Sequence, residues 1–185
     1  MEGATTITEL ATIGGGCFWC VETIFQRVRG VISAKPGFTG GKIENPTYKQ
    51  VYTGETGHVE VVQIEFDPAI LSYEELIQVF LRTHDPTTLN RQGEDKGSQY
   101  RSAIFYHSEA RRDIAKKVIE DITKEKLYEN EIVTEVEPLT IFYPAEDYHK
   151  DYYNLNPDQE YCAMVIRPKL AKFMKLFQTK VKAAA

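Results

Sequence analysis

The sequence predicts an α+β protein that folds as a two-layer α/β sandwich, with helices packed against one sheet. Short extended segments alternate with helical segments along the chain, and the helical segments carry their apolar residues on one face. Two long glycine-punctuated segments, 35–57 and 87–100, interrupt this alternation, and their length predicts functional loops. Hydrophobic residues make up 42% of the 185 residues and charged residues 26%, a composition that suits one buried core.

A single domain is expected over residues 1–185, because the chain has no internal repeat, linker or low-complexity segment. Its core is predicted at about 8–167 and a C-terminal helix at about 168–182. The net charge of −5, without basic clusters, argues against a nucleic acid partner. No apolar run is long enough to cross a membrane, and residues 1–6 lack a signal-peptide pattern. We therefore expect a cytoplasmic protein without a membrane partner.

The first elements are a strand, a glycine turn and a helix. Residues 9–13 are short and mostly apolar, and three glycines follow them at 14–16. The next apolar residues recur at helical spacing, and Gly30 is a stop signal for that helix. The members of this apolar face are Phe18, Val21, Phe25 and Val28.

The middle of the chain contains the clearest strand, at 59–66, which is rich in β-branched residues. Ser72 and Glu75 have the spacing of a capping box, which predicts a helix that ends near residues 84–86. A strand at 102–106 follows the second glycine-rich loop. Ser108 is then placed to cap a longer helix.

The last third of the chain is predicted as extended structure over 132–143, interrupted by Pro138, and then a polar loop rich in tyrosine. Apolar residues at helical spacing predict the C-terminal helix. They are Leu170, Phe173, Met174 and Phe177.

Cys17 is the strongest candidate for a reactive residue. Three cysteines are a poor framework for structural disulfides, so catalytic, redox or metal-binding roles are favoured. The predicted position at a helix start, after three glycines, exposes the thiol to backbone N–H groups and the positive end of the helix dipole. We therefore expect a lowered pKa and a nucleophilic thiolate, and the alternative is a small buried core residue.

Cys20 forms a C-x-x-C pair with Cys17 across one helical turn. This spacing permits a redox disulfide or half of a zinc site. The sequence contains no second C-x-x-C, and its four histidines have no ligand-like spacing, so no metal site and no cofactor are expected. Packing within the helix remains an equal alternative for Cys20.

Glu60 lies in the predicted strand at 59–66 and shares a face with the apolar residues Val62, Ile64 and Phe66. If this face is the inner one, the carboxyl is in an apolar setting, its pKa rises, and it can act as a general acid. If Glu60 lies at the strand end and reaches solvent, it has no such role. Strand parity alone leaves both alternatives open.

Tyr48 and Tyr100 are further candidates because each lies towards the end of a glycine-rich loop. Asp95 lies in the turn 93–97, where ordinary turn chemistry is the alternative explanation. Three of the histidines are predicted to be structural rather than catalytic, namely His58, His84 and His149.

Several segments, in order along the chain, resemble the peptide methionine sulfoxide reductase A family. The resemblance covers about residues 14–162. The segments are Gly16-Cys17-Phe18-Trp19, Gly37-Phe38-Thr39-Gly40-Gly41, Asn45-Pro46-Thr47-Tyr48, the run from Thr53 to Val62 that contains His58 and Glu60, His84-Asp85-Pro86, the run from Arg91 to Ser102 that contains Asp95 and Tyr100, Ala145-Glu146-Asp147 with His149, Asn156-Pro157 and Tyr161-Cys162.

The resemblance implies a ferredoxin-like core and thiol-dependent reduction of methionine-S-sulfoxide, free or in proteins, with repair of oxidised proteins as the role. It implies that Cys17 is the nucleophile and that Glu60 protonates the sulfoxide oxygen. By the same resemblance, the oxygen is held by Tyr48, Tyr100 and Asp95, partly through water. Phe18 and Trp19 are implied to form the apolar wall for the substrate methyl group.

The resemblance also implies a cycle in which Cys17 becomes a sulfenic acid and then a disulfide that thioredoxin reduces. Cys162 matches the family's first recycling position and follows a turn-rich loop, so it is the favoured resolving thiol. Cys20, where many members have glycine, is the alternative, and a relay through both thiols is open. A monomer is expected because no apolar stripe is left over after the core is assigned.

Three other functions are compatible with the residues alone. A dithiol–disulfide oxidoreductase would use Cys17 and Cys20 as its couple and would need no sulfoxide. A binding module for peptides or methionine sulfoxide would leave Cys17 inert. A cysteine hydrolase would need a histidine base, and no histidine motif lies near Cys17.

Overall fold

A computed structural model describes residues 7–183 and contains one six-stranded sheet and one small hairpin. The strand order in the sheet is β7-β6-β1-β3-β2-β8, and β4 pairs only with β5. The strands are β1 Glu9–Gly14, β2 Val31–Thr39, β3 Val59–Phe66, β4 Arg91–Gln92, β5 Asp95–Lys96, β6 Ala103–Tyr106, β7 Glu135–Pro138 and β8 Tyr143–Pro144.

Residues 7–183 contain six α-helices, and two of them begin at the predicted caps. The hydroxyl of Ser72 accepts a hydrogen bond from the N–H of Glu75 at 3.1 Å, and Ser108 accepts one from Arg111 at 3.3 Å. The helices are α1 Phe18–Gln26, α2 Tyr48–Tyr52, α3 Tyr73–Thr83, α4 Glu109–Lys124, α5 Tyr152–Leu155 and α6 Arg167–Leu176.

The centre of the sheet has the ferredoxin-like arrangement. Two β-α-β units, β1-α1-β2 and β3-α3-β6, interleave to give the strand order β6-β1-β3-β2, and every neighbouring pair among these four strands is antiparallel. The outer strands extend this core, β7 parallel to β6 and β8 antiparallel to β2. The α+β class and the ferredoxin-like core predicted above are confirmed.

The main hydrophobic core lies between the sheet and the helices. Alternate residues of β3 point into it, so Val62, Ile64 and Phe66 are fully buried against α1 and α3. A smaller cluster on the opposite face contains Val59 and Val61. Because Glu60 has the parity of Val62, its side chain belongs to the helix-facing layer, and the first of the two alternatives for Glu60 is correct.

The segment 35–57 is more ordered than its sequence predicts. Its first residues belong to β2, which pairs with β3 over almost its whole length, and residues 48–52 form α2. Pro36 and Gly37 make this strand hard to recognise in the sequence, because both residues are normally depleted in strands. The strand is stabilised by hydrogen bonds to β3, which is distant in sequence, and these bonds outweigh the low strand propensity of the two residues.

The C-terminal helix begins earlier and ends earlier than predicted. A π-helical turn, Cys162–Ile166, leads directly into α6, and Pro168 lies in the first turn of that helix, where its missing N–H costs little. The helix ends at Leu176 instead of 182. Beyond it the chain pairs with the end of α1, since the N–H of Lys182 donates to the carbonyl of Arg27 at 2.8 Å.

No helix within residues 7–183 is both long and apolar enough to cross a membrane. The segment 1–6, on which the expectation of no signal peptide rests, lies outside the described residues.

Candidate active site

Cys17 lies between the end of β1 and the start of α1, where the chain turns through three glycines. Cys17 is the N-cap residue of α1, as predicted, and Gly16 adopts a φ of +83° that favours glycine. A Cβ on Gly14 would lie 2.5 Å from the backbone oxygen of Glu60. The absence of a side chain at Gly14 therefore lets β1 and β3 approach closely, which places Cys17 beside Glu60.

Glu60 is enclosed, with its side chain 1% exposed. The backbone N–H of Phe18 donates to Oε1 at 3.1 Å, while Oε2 is buried without a hydrogen-bond partner among residues 7–183. Burial raises the pKa of Glu60 to about 8, the Phe18 N–H opposes this, and the charge of Asp95 adds to it. Glu60 is therefore largely protonated near neutral pH, with one carboxyl oxygen free to act on a ligand.

The pKa of the Cys17 thiol is raised well above its usual value, in the opposite direction to the prediction. Burial is the main cause, because the side chain is only 8% exposed, and the negative charge of Glu60 is the second. The backbone N–H of Trp19 lowers the pKa, as the helix start predicts, but it does not overcome desolvation. The resting site thus holds a neutral thiol beside a protonated carboxyl.

Tyr100 and Tyr48 both border this pair. The carbonyl of Tyr100 accepts the N–H of Gly16 at 3.0 Å, and Tyr48 opens α2 with its N–H donated to the Glu146 carboxylate at 3.0 Å. Burial raises the pKa of both phenols, and the neighbouring charge of Glu60 raises it further. Both hydroxyls therefore stay protonated and are able to donate a hydrogen bond.

Asp95 lies in the short β4–β5 hairpin and faces the same site. Its Oδ2 accepts a hydrogen bond from the hydroxyl of Tyr161 at 2.5 Å. Its negative charge contributes to the raised pKa values of Glu60 and Cys17. The hairpin therefore adds an acidic group beside the buried pair, and it connects the site to the segment that precedes Cys162.

The aromatic rings of Phe18 and Trp19 lie at the start of α1, directly after Cys17, and form an aromatic wall. The ring of Phe18 is buried with its centroid 5.6 Å from that of Phe38. Trp19 is half-buried and stacks on Tyr152 at a centroid distance of 3.8 Å and an interplanar angle of 8°. Together these rings give the site an apolar surface next to the thiol.

Sequence reasoning missed three residues of this wall, His149, Tyr152 and Tyr161. The indole N–H of Trp19 donates to Nδ1 of His149 at 3.0 Å, and Nε2 of this fully buried histidine has no partner among the described residues. Tyr161 packs edge-on against Trp19. The sequence feature that could have indicated them is the high density of aromatic residues over 148–161. The same composition is also typical of a polar loop, which is what the sequence predicted.

The other two thiols lie in different surroundings. Cys20 is buried in the first turn of α1, and its N–H donates to the Cys17 carbonyl at 3.1 Å. Cys162 is fully buried at the start of the π-helical turn, and its N–H donates to Gln159. Burial raises the pKa of both thiols, and all three cysteines are free.

The assembled groups are suited to attack on a polar, weakly electrophilic atom that carries an oxygen. The thiol supplies the nucleophile, the carboxyl supplies a proton, and two phenols supply hydrogen bonds to the oxygen. Within residues 7–183, no three His, Cys, Asp or Glu side chains lie close enough together to hold a metal ion.

Comparison with known proteins places these residues in context. Residues 9–181 match the family described as peptide methionine sulfoxide reductase. A peptide methionine sulfoxide reductase MsrA from Saccharolobus solfataricus is 56% identical over 174 residues, which cover 94% of this chain and 97% of that protein. Reduced Mxr1 from Saccharomyces cerevisiae is 36% identical and matches with a TM-score of 0.77 over 84% of this chain and 89% of its own. Mxr1 in complex with Trx2 matches at 24% identity and a TM-score of 0.54 over 82% of this chain and 91% of its own, a likeness of fold.

Proposed function

The chain belongs to the peptide methionine sulfoxide reductase family, and from this premise we propose how its own residues perform the reaction. The enzyme is an oxidoreductase that reduces methionine sulfoxide to methionine with thiols. Cys17 attacks the sulfoxide sulfur while Glu60 protonates the sulfoxide oxygen. The S-epimer, free or within proteins, is the proposed substrate, and repair of oxidised proteins is the proposed role.

The single observation that carries this assignment is the unpartnered Oε2 of the protonated Glu60 beside Cys17. A buried carboxyl oxygen without a hydrogen bond is costly unless a ligand supplies one. A sulfoxide oxygen is a strong acceptor, so it satisfies this group and becomes activated by it. Tyr48 and Tyr100 donate to the same oxygen, with Asp95 acting on it partly through water.

The raised pKa of Cys17 fits a reaction in which no proton is gained or lost overall. Glu60 passes its proton to the sulfoxide oxygen as Cys17 passes its own proton towards Glu60. Attack forms a bond between the Cys17 sulfur and the substrate sulfur. This bond and the substrate S–O bond then break as the hydroxyl transfers to the Cys17 sulfur, so the substrate sulfur gains two electrons and the Cys17 sulfur loses two electrons to become a sulfenic acid. The thiol thus becomes a nucleophile when the substrate oxygen accepts the proton.

The aromatic wall binds the remainder of the substrate. Phe18 and Trp19 are proposed to contact the methyl group, which is small and apolar and carries no group for hydrogen bonding. When the methyl group lies on this wall and the oxygen points towards Glu60, only one position is left for the rest of the methionine side chain. Because the sulfoxide sulfur is chiral, this arrangement selects one epimer.

Recycling needs a second thiol and an external dithiol. We propose that Cys162 condenses with the Cys17 sulfenic acid, releasing water, and that a thioredoxin-class reductant reduces the disulfide. The preceding segment, residues 154–160, carries Asn156 and Pro157 and provides the turn that a movement of Cys162 requires. Cys20 is the alternative, since it is already on the adjacent turn of the same helix.

Location and assembly belong to the same proposal. Three free thiols suit a reducing compartment, which supports the cytoplasm as the site of action. A monomer suffices, because every group named in the reaction comes from one chain.

The proposal is tested by reaction of the reduced enzyme with methionine-S-sulfoxide and, separately, with the R-epimer, in the absence of any reductant. We expect a rapid release of methionine equal to the amount of enzyme with the S-epimer and none with the R-epimer. Quantitative amino-acid analysis at several enzyme concentrations measures the yield. Equal yields from both epimers, or no methionine from either, would overturn the proposal.

A further inference from the structure

Glu22 is a buried carboxyl on α1 that takes no part in the reaction above. It lies five residues after Cys17, and it is only 1% exposed. The backbone N–H of Asp151 donates to its Oε2 at 3.0 Å, and the N–H of Tyr152 is a second donor. An ionisable group is expensive to bury unless its oxygens are hydrogen-bonded, so these two contacts account for its presence.

The backbone that Glu22 holds adopts an unusual conformation. Asp151 has a φ of +59°, in the left-handed region that residues with side chains rarely adopt, and it is the N-cap residue of α5. Such a conformation persists only where the surrounding contacts hold it. Gln26 adds a contact at the rim, since its Nε2 donates to the Asp151 carboxylate at 3.2 Å. Glu22 is the buried part of this attachment.

The residue that this backbone carries forms part of the pocket. Tyr152 stacks in parallel on Trp19 at 3.8 Å, and Trp19 in turn donates its indole N–H to His149. Glu22 does not contact Trp19 through any of these hydrogen bonds. It acts on the wall by fixing where the backbone of Tyr152 lies.

The ionisation of Glu22 is consistent with this role. Burial raises its pKa to about 7, and the N–H groups of Asp151 and Tyr152 act in the opposite direction. The neutral acid still has a carbonyl oxygen that accepts hydrogen bonds. An amide side chain at this position keeps an oxygen that accepts the N–H groups of residues 151 and 152. A side chain without an acceptor does not hold this backbone.

We propose that Glu22 is a positioning residue for the substrate pocket, which holds the backbone at 151–152 so that Tyr152 stays stacked on Trp19. This inference rests on the proposed function only in that Trp19 contacts the substrate. The placement of Tyr152 on Trp19 can be measured without any turnover.

The test uses the full-length enzyme and the variants Glu22→Ala, Glu22→Asp and Glu22→Gln. Trp19 is the only tryptophan in the chain, so intrinsic fluorescence and its quenching by acrylamide report on this ring alone. In Glu22→Ala we expect the quenching constant to rise about twofold, because one face of the indole loses its cover. The KM for methionine-S-sulfoxide should rise about fivefold through loss of the ordered wall, while the single-turnover rate at saturating substrate changes less than about twofold.

Glu22→Asp shortens the side chain but keeps its carboxyl group, and it is expected to shift quenching and KM in the same direction by smaller amounts. Glu22→Gln should restore both values to near those of the wild type, which a general packing defect at this position would not predict. The matched control is Glu65→Ala on β3, which removes a carboxylate that accepts a hydrogen bond from the Thr8 hydroxyl, and it should change neither quantity.

Unchanged quenching and unchanged KM in both Glu22→Asp and Glu22→Ala would overturn the proposal. If Glu22→Ala does not fold, as judged by circular dichroism, the Asp and Gln variants decide the outcome. Failure of the wild type to form methionine would overturn the proposed function instead, and the fluorescence measurement would still test the role of Glu22.

Discussion

Two of the regions that form the candidate site are held in place in different ways. The first is the β1–α1 turn together with β3, which carries Cys17 and Glu60 and is fixed by sheet pairing and by close glycine contacts. The second is the segment 145–166, which carries His149, Tyr152, Tyr161 and Cys162 and consists of short helical turns and loops. Its attachment to α1 depends on side chains such as Glu22.

On the proposed mechanism, this difference separates the attack and proton transfer, which belong to the first region, from formation of the disulfide, which involves the second. Groups that exchange a proton must be placed to within a fraction of an ångström, which a sheet and a helix start provide. A resolving thiol must instead travel to the sulfenic acid, which a segment of short turns permits. We therefore expect substitutions in the first region to stop or slow methionine formation, and substitutions in the second to affect KM or recycling.

The largest expected effect is that of Cys17→Ser. A hydroxyl cannot replace the thiol as acceptor of the sulfoxide oxygen, so methionine formation should fall by at least about 10⁴-fold. Single-turnover methionine release measures this loss. Cys162→Ser is the matched variant in the second region and should release methionine as the wild type does. Retained activity in Cys17→Ser would remove the basis for separating the two regions.

Glu60→Gln is expected to lower the single-turnover rate by about 10²- to 10³-fold, because the amide cannot donate a proton to the sulfoxide oxygen. In the wild type the active form is the protonated acid, so the rate should fall as the pH rises through about 8. The variant should show no fall at this pH. A pH profile of single-turnover rates from 6 to 9.5 tests both statements, and an unchanged rate in the variant would exclude Glu60 as the acid.

Recycling distinguishes the two candidate resolving thiols. With thioredoxin as reductant, Cys162→Ser should slow steady-state turnover by about tenfold or more, while Cys20→Ser keeps at least about half of the rate. Disulfide mapping after one turnover should find Cys17 joined to Cys162. The reverse pattern would assign resolution to Cys20 and would place the whole cycle in the first region.

The tyrosine hydroxyls should have the smallest effects on rate. Tyr48→Phe and Tyr100→Phe each remove one donor to the developing charge on oxygen and should lower the single-turnover rate by about three- to tenfold. Tyr106→Phe, on β6, is the control and should leave the rate unchanged. Losses in the control as large as those in the two variants would show that the hydroxyls do not act on the substrate.

Stability provides a comparison that does not involve substrate. The pKa of Glu60 is about 8 in the folded state and near 4.5 when unfolded, so the folded protein binds the proton more tightly. Folding stability should therefore decrease as the pH rises from about 5 to 8, by on the order of 3 kcal/mol from this group. In Glu60→Gln most of this decrease should disappear, as measured by urea unfolding at the two pH values. A decrease of the same size in the variant would show that burial does not raise the pKa of Glu60.

The first region was largely predictable from the sequence because its signals are local. Three glycines before Cys17 indicate a turn into a helix, and the alternation of β3 places Glu60 with Val62. The direction of the Cys17 pKa was not predictable, because the helix start is visible in the sequence but the enclosure of the thiol by distant residues is not. The strand β2 was not predictable for a similar reason, since pairing with β3 outweighs the low strand propensity of Pro36 and Gly37.

The second region was predicted only at Cys162, through the family resemblance. The contacts of His149 and Tyr152 with Trp19 join residues more than a hundred positions apart. No local pattern encodes such contacts, and a dense run of tyrosines is equally typical of a polar surface loop.

The claim that Cys17 is oxidised as the sulfoxide is reduced is tested most directly in the double variant Cys20→Ser/Cys162→Ser, in which no resolving thiol remains. Treated with methionine-S-sulfoxide without reductant, this variant should release one methionine per chain and retain Cys17 as a sulfenic acid, detected by a sulfenic-acid-specific label and mass spectrometry. Methionine release without oxidation at Cys17, or no methionine at all from the folded variant, would contradict the account.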